Sequence, residues 1–148
     1  MMTLREYLQL KNGTDVRGIA TEGIAGEEVN LTPEAAEAIA EAFAKWLCRR
    51  TGKSPLRIAV GHDSRISSPA LSESVLKGIE RTGNVAIFTH LSSTPSMFML
   101  LKDERWSADG SVMITASHLP FNRNGLKFFV QEGGLESSDI KEVIAIAQ

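Results

Sequence analysis

The sequence predicts an α/β fold, a three-layer domain in which helices cover both faces of a mixed, mostly parallel sheet. Short apolar runs typical of buried strands alternate with longer segments of helical periodicity, which indicates βαβ crossovers. The connection before the last predicted strand carries no helix signal, so that strand is expected to run antiparallel. With 148 residues, 43% of them hydrophobic, the chain suffices for one domain, 1–148, with a continuous core.

The first long element is a predicted helix over residues 30–52. Thr32 is the expected N-cap, Pro33 occupies the first helical position, and Gly52 ends the helix. Its apolar residues recur at helical spacing and form one buried face: Ala36, Ile39, Ala40, Phe43 and Leu47. Residues 56–61 follow as a buried strand, because apolar and β-branched residues stand there between turn formers.

The remainder of the chain continues this alternation. In chain order, the predicted elements are a helix capped by Ser67 or Ser68 and ending at Gly83, a strand at 85–90, a helix at 94–102, strands at 111–115 and 126–130, and a final helix capped by Ser137 or Ser138.

The composition argues against nucleic-acid and membrane partners. Sixteen basic and eighteen acidic residues give a formal net charge of -2, without a long block of Lys and Arg. Apolar residues never run together for the length of a membrane span, and the N-terminus lacks the apolar stretch of a signal peptide. The single Cys48 fits a reducing compartment. The sequence therefore predicts a cytoplasmic protein, or a plastid one if a transit peptide has been removed.

Four polar segments differ chemically from the rest of the chain. They are GTDVRG (13–18), GHDSRISS (61–68), SSTPS (92–96) and TASHLPFNRNGLK (115–127). Three of them directly follow a predicted strand, and ligands in open α/β sheets gather beyond the carboxyl ends of the strands. We therefore expect these polar loops to meet at one edge of the sheet.

The three shorter segments also have purely structural interpretations. Asp15 and Arg17 could form an ion pair near a turn. Asp63 and Arg65 could cap and brace the helix that follows, and the Thr-Pro pair at 94–95 is a common helix start.

The fourth segment is harder to explain as a connection, because it is longer than most loops between elements. It places the hydroxyl of Ser117, the imidazole of His118 and the ammonium of Lys127 along one loop. Phosphoryl transfer requires an oxygen acceptor held in place and positive charge around the moving group, with little other covalent work by the protein. Serine, lysine and nearby arginine side chains supply that minimum set.

The loop resembles the phosphoserine loop of the phosphohexomutases, the family of phosphoglucomutase and phosphomannomutase. The family pattern T-A-S-H-x-P, followed by a spacer and N-G-x-K, is matched by Thr115, Ala116, Ser117, His118 and Pro120, and then by Asn124, Gly125 and Lys127. GTDVRG, VGHDSRISS and the Thr-Pro pair resemble three further family motifs in the same order. The resemblance covers the whole chain but only the first, N-terminal phosphoserine domain of the family's four-domain proteins.

The resemblance implies a role for each matched residue. Ser117 would carry the phosphoryl group, give it to a hexose monophosphate to make a bisphosphate, and supply a Mg²⁺ ligand through its phosphate. Lys127 and His118 would be catalytic, stabilising charge or moving a proton. Phosphate or substrate binding would fall to Arg17, Arg65 and Asn124, with both arginines steadying the phosphoserine or its loop.

The resemblance also implies partners and limits. The expected ligands are a hexose phosphate and a hexose bisphosphate, with glucose phosphate as the first choice of sugar and mannose phosphate as the second. Leu119 and His62 depart from common family residues, which leaves the subfamily open. The family's D-G-D-x-D-R metal loop does not occur in this sequence. We therefore expect a fragment of a multi-domain enzyme, inactive alone, whose other Mg²⁺ ligands lie in missing domains of the same polypeptide.

Two alternatives use the same residues differently. A serine hydrolase is disfavoured, because adjacent residues of an extended chain point in opposite directions and no G-x-S-x-G elbow is present. A non-catalytic module that binds phosphosugars or a partner protein remains open, with the loops acting as an anion cradle.

Overall fold

The computed structural model describes residues 2–148 and shows a seven-stranded sheet with helices packed on both faces. In chain order the elements are α1 (Leu4–Gln9), β1 (Lys11–Asn12), β2 (Asp15–Ile19), α2 (Pro33–Thr51), β3 (Arg57–His62), α3 (Ser68–Arg81), β4 (Val85–Leu91), α4 (Thr94–Met99), a 3-10 turn (Leu100–Lys102), β5 (Gly110–Ile114), β6 (Arg123–Val130), β7 (Gly133–Gly134) and α5 (Ser137–Ala147).

The sheet has the strand order β1-β2-β6-β5-β3-β4, and β7 pairs with β6. β3 runs parallel to both β4 and β5, whereas the other four pairings are antiparallel. The predicted α/β class, the mixed sheet and the antiparallel last long strand are confirmed. The expectation of a mostly parallel sheet is wrong, because three strands that the sequence did not indicate all join the sheet in antiparallel pairs.

Alternation along the central strands separates two cores. On β5, Val112 and Ile114 belong to the larger core, which lies under α1, α2, α3 and α5. Between them, Met113 faces the opposite side and packs in a smaller core with Met97 of α4. The period-two pattern of a strand therefore places helices against both faces of the sheet, as predicted.

Helix α2 forms as the sequence indicates. The Thr32 hydroxyl accepts a hydrogen bond from the Ala35 amide, Pro33 begins the helix, and Gly52 ends it in the left-handed conformation with φ of 68°. That conformation at the residue after a helix is the one that glycine adopts without steric cost.

Other element ends differ by a few residues. The N-cap of α4 is Ser93, and the predicted helix over 94–102 finishes as the 3-10 turn. The N-cap of α5 is Glu136, one residue before the predicted serines. Ser67 is the N-cap residue of α3, although its side chain makes no capping hydrogen bond.

Strand β2 was expected to be a loop, and α1, β1 and β7 had no counterpart in the sequence prediction. The hydrophobic pattern does not predict β2, because Asp15 and Arg17 occupy alternate positions on one of its faces. These charges pair with neighbouring side chains, so the strand is stabilised without an apolar stripe on that face.

The polar loops lie where the two central parallel strands end together. His62 at the end of β3 pairs with Ile114 at the end of β5, and the Asp63 amide donates to the Ile114 carbonyl at 3.0 Å. The loops that follow these strands therefore begin side by side. Within residues 2–148, no helix combines the length and the apolar character needed to cross a membrane.

Candidate functional site

Ser117 lies on the loop after β5, with an exposed side chain. Its φ of 55° falls in the left-handed region, which residues with a side chain seldom adopt. The Ser117 amide donates to the Thr115 hydroxyl at 3.0 Å. The predicted loop position of Ser117 is confirmed, and its backbone is held in an uncommon conformation.

Arg65 binds this loop through backbone carbonyl groups. Its Nη1 donates to the carbonyl oxygens of Pro120 at 2.7 Å and Arg123 at 3.0 Å. Its Nη2 donates to those of Ser117 and Leu119, each at 2.8 Å. A guanidinium has two hydrogens on each terminal nitrogen, so all four are used to hold the loop.

Asp63 lies between the loop and helix α3. One carboxylate oxygen accepts from the Arg65 amide at 3.1 Å and from the Ser68 hydroxyl at 3.0 Å. The other accepts from the Thr115 hydroxyl at 2.7 Å and lies 3.4 Å from Arg65 Nε. The expected bracing of α3 by Asp63 is present, but the contact with Thr115 joins Asp63 to the serine loop as well.

A second cluster brings together Asp15, Arg17 and Lys127. Asp15 is buried, with 8% of its surface exposed, and its two oxygens lie 3.3 Å from Arg17 Nη2 and 3.1 Å from Lys127 Nζ. Arg17 Nη2 is also 3.4 Å from Ser117 Oγ. Two cations share one carboxylate, so net positive charge remains beside the serine hydroxyl. The structure thus brings Arg17, Ser117 and Lys127 together, as the sequence predicted.

The strand register explains this cluster. Asp15 and Arg17 lie two positions apart on β2 and therefore share a face. Lys127 on β6 follows Leu126, the residue that pairs with Val16 of β2. Residues far apart in the sequence meet because two antiparallel strands place them on the same face.

Two predicted binding residues, Asn124 and Arg65, contact other parts of the protein in this structure. Asn124 is completely buried, and its amide group donates to the hydroxyls of Ser67 and Ser68 while its carbonyl oxygen accepts from the Gly125 amide. In this structure Asn124 is a buried link between the loop and α3, and its role in phosphate or substrate binding stays a prediction. Arg65 steadies the loop backbone, as the resemblance implied, and its role in binding phosphate also stays a prediction.

His118 and Lys127 differ in how firmly they are held. The His118 side chain is exposed, and its imidazole makes no hydrogen bond to a residue within 2–148. Lys127 is fixed by Asp15 and lies over the Phe129 ring at 5.8 Å. Lys127 therefore has a defined place beside Asp15, whereas His118 has none, and the catalytic roles of both residues stay predictions.

The acidic side chains here do not form a metal site by themselves. Within residues 2–148, no three His, Cys, Asp or Glu side chains are grouped as metal ligands. The Asp15 and Asp63 carboxylates are already bound by cationic side chains. A Mg²⁺ ligand from a phosphate on Ser117 stays a prediction.

A cleft of about 490 Å³ opens beside Ser117. Its polar lining includes Asp63 and Arg65, and its apolar rim includes Phe121, which is 57% exposed. A larger cavity of about 980 Å³ lies between β4 and α4 and includes Ser92 and Ser96 of the 92–96 segment. That segment therefore faces another cavity, in contrast to the expectation that all four polar loops meet.

A family model described as "Phosphoglucomutase/phosphomannomutase, alpha/beta/alpha domain I" matches residues 9–148. The phosphoglucosamine mutase of Clostridium kluyveri is 38% identical over 133 residues, covering 89% of this chain and 27% of that protein. The phosphoglucosamine mutase of Listeria welshimeri is 37% identical over the same length and with the same coverage. This chain therefore spans about a quarter of the length of these curated relatives.

A solved structure has the same fold. It is a phosphoglucomutase/phosphomannomutase family protein from Burkholderia thailandensis, with a TM-score of 0.77 and 20% sequence identity. The match covers 99% of this chain and 30% of that one. The arrangement of β2, β6 and β5 that builds the serine site thus lies within a fold shared with a much longer chain.

Proposed function

Because this chain belongs to the phosphoglucomutase/phosphomannomutase family, as its α/β/α domain I, we propose that Ser117 carries the phosphoryl group in a phosphosugar mutase. The observation that carries this proposal is the position of the Ser117 hydroxyl, which is exposed and lies 3.4 Å from Arg17 Nη2 in a net-positive cluster. Phosphoryl transfer requires an accessible oxygen next to cations that are held in place.

The transfer step uses these residues as follows. A hydroxyl oxygen of the sugar phosphate attacks the phosphorus atom of phosphorylated Ser117, a new bond forms, and the bond between phosphorus and Ser117 Oγ breaks. The hydroxyl proton ends on Ser117 Oγ, which returns to the neutral alcohol. Arg17 and Lys127 stabilise the negative charge on the moving group, and Asp15 holds both cations in place.

Mg²⁺ would add a third cation at the same place. A phosphate oxygen of Ser117 would be its ligand from this domain, and the ion would neutralise charge that develops on the phosphoryl group. The remaining ligands are proposed to belong to further domains of the same polypeptide, since the relatives are longer than this chain.

The proposed substrates are hexose monophosphates and the corresponding bisphosphates. Glucose phosphate was expected first and mannose phosphate second from the sequence, whereas the names of two relatives favour glucosamine phosphate. All three sugar phosphates are therefore candidate substrates. The proposed location of the protein is the cytoplasm. The cleft beside Ser117 is open, and closure by other domains would exclude water from the transfer.

The half-reaction that a mutase performs tests this function directly. The polypeptide that carries the proposed further domains is first phosphorylated on Ser117 and then mixed with glucosamine 6-phosphate, glucose 6-phosphate or mannose 6-phosphate and Mg²⁺. The expected product is a sugar bisphosphate, formed at the expense of phosphoserine. A phosphoserine that is stable to all three sugars, in a chain that still binds them, would support the phosphosugar-binding module instead.

A further inference from the structure

We propose that Asp63 is a positioning residue for Ser117. Its carboxylate acts through Thr115 and Arg65 to hold the serine backbone in the conformation that presents Oγ to Arg17. This inference rests on the proposed function of Ser117, although the structural part of it can be tested without that function.

The contact on the amide side of Ser117 runs through one hydroxyl group. Thr115 Oγ1 accepts from the Ser117 amide at 3.0 Å and donates to the Asp63 carboxylate at 2.7 Å. A hydroxyl has a single hydrogen to donate. The carboxylate therefore fixes the direction of the Thr115 hydroxyl and leaves its lone pair facing the serine amide.

The contact on the carbonyl side runs through Arg65. Its Nη2 donates to the Ser117 carbonyl oxygen at 2.8 Å, while its backbone amide and Nε lie 3.1 and 3.4 Å from the two Asp63 oxygens. Both peptide groups that flank Ser117 are therefore connected to the same carboxylate. Asp63 is itself joined to the sheet, because its amide donates to the Ile114 carbonyl.

This arrangement accounts for the backbone of Ser117. Its φ of 55° is disfavoured for a residue with a side chain, and it persists only where the surroundings hold it. Fixing the peptide groups before and after a residue fixes its φ and ψ. The backbone conformation sets the direction of the Ser117 side chain, and Ser117 Oγ lies 3.4 Å from Arg17 Nη2.

The two oxygens of Asp63 separate this role from the bracing of α3. The oxygen that accepts from Ser68 and from the Arg65 amide braces the start of the helix. The other oxygen accepts from Thr115.

Thr115→Val removes only the second connection and nearly preserves the shape of the side chain, whereas Thr115→Ser retains the hydroxyl. Thr89→Val removes a hydroxyl that bonds to the Val60 carbonyl, and it is the matched control.

The first measurement is the exchange of the Ser117 amide with water, followed by NMR in the ¹⁵N-labelled chain. We expect about tenfold faster exchange in Thr115→Val, since one hydrogen bond is lost. Thr115→Ser and Thr89→Val should exchange like the original chain, and amides of α3 should not change in any of the three. Unchanged Ser117 exchange in Thr115→Val would overturn the inference.

The second measurement is the rate at which glucose 1,6-bisphosphate and Mg²⁺ phosphorylate Ser117 in the polypeptide that carries the proposed further domains. Thr115→Val should lower the maximal rate by about tenfold without changing the half-saturating bisphosphate concentration, because positioning is lost while donor binding is kept. An unchanged maximal rate would overturn the positioning role. If the polypeptide with its original residues takes up no phosphate, the proposed function is contradicted. Amide exchange then decides whether the Thr115 hydroxyl, which donates to Asp63, holds the Ser117 amide.

Discussion

Gly125 lies opposite Arg17 in the antiparallel pair of β2 and β6, and its lack of a side chain leaves room for the arginine to cross β6 toward Ser117. A Cβ atom at position 125 would lie 3.0 Å from Arg17 Cγ and 2.8 Å from the Thr115 carbonyl oxygen, and it would also contact the Val16 carbonyl. The glycine therefore permits both close strand packing and the reach of Arg17.

Gly125→Ala should accordingly lower the free energy of unfolding by about 1–3 kcal/mol, because backbone atoms must move to admit a methyl group. Urea unfolding monitored by circular dichroism measures this loss. Gly134→Ala is the matched control, since the nearest atom to its added Cβ is 4.0 Å away. Equal stability of the two variants would contradict the close approach at Gly125.

Asp15→Asn should destabilise the chain by about 1–3 kcal/mol, since it leaves two adjacent cations without their shared carboxylate. The estimate is below that for a fully buried pair, because Arg17 and Lys127 are 22% and 32% exposed. The loss should diminish at high salt, which screens the repulsion between the cations. Urea unfolding at two salt concentrations measures both effects, with Glu73→Gln, from an exposed helix pair, as the control. A loss of stability that does not depend on the salt concentration would indicate that Asp15 acts through packing rather than through its charge.

Arg65→Lys should loosen the serine loop, because an ammonium cannot reproduce the planar fork that binds four carbonyl groups. Amide exchange should accelerate across residues 117–123 and leave the sheet unchanged. In the control Arg57→Lys, a single bond to the Trp106 carbonyl is lost, and exchange in the serine loop should not change. If the loop amides of Arg65→Lys exchange as slowly as those of the original chain, the four bonds of Arg65 do not hold the loop.

Mg²⁺ should bind this chain only after Ser117 is phosphorylated. The Asp15 and Asp63 carboxylates are engaged by cations, whereas a phosphoserine adds oxygen ligands and up to two negative charges. Isothermal titration with MgCl₂ should show saturable binding for the phosphorylated chain and none for the unphosphorylated one. Equal binding by both forms would mean that carboxylates hold the metal.

The sequence identified the elements whose hydrophobic pattern is strong. α2 was predicted with its N-cap and its terminal glycine, and the central strands were placed within one or two residues. β2 could not be found in this way, because its stability comes from strand pairing and from the contacts of Asp15 with two cations. Those cations are provided by different strands, so no local pattern reveals them.

In the candidate site, too, some features could be predicted from the sequence and others could not. Ser117, Arg17 and Lys127 were selected on motif and chemistry, and the structure brings them together. Asp15 and Asp63 were given only local roles, although each stands two residues before an arginine in a polar segment. Which atoms these carboxylates contact depends on the register of β2 with β6 and on the side-by-side ends of β3 and β5, which the sequence does not state.

The location of the phosphoryl group tests the central claim most directly. The purified polypeptide that carries the proposed further domains is incubated with Mg²⁺ and, in separate reactions, with the 1,6-bisphosphates of glucosamine, glucose and mannose. Intact mass spectrometry and peptide mapping then identify the modified residue. We predict that at least one donor adds a single phosphoryl group to Ser117 and that Ser117→Ala takes up none. No uptake from any of the three donors, or equal uptake by Ser117→Ala, would contradict the assignment of Ser117 as the phosphoryl carrier.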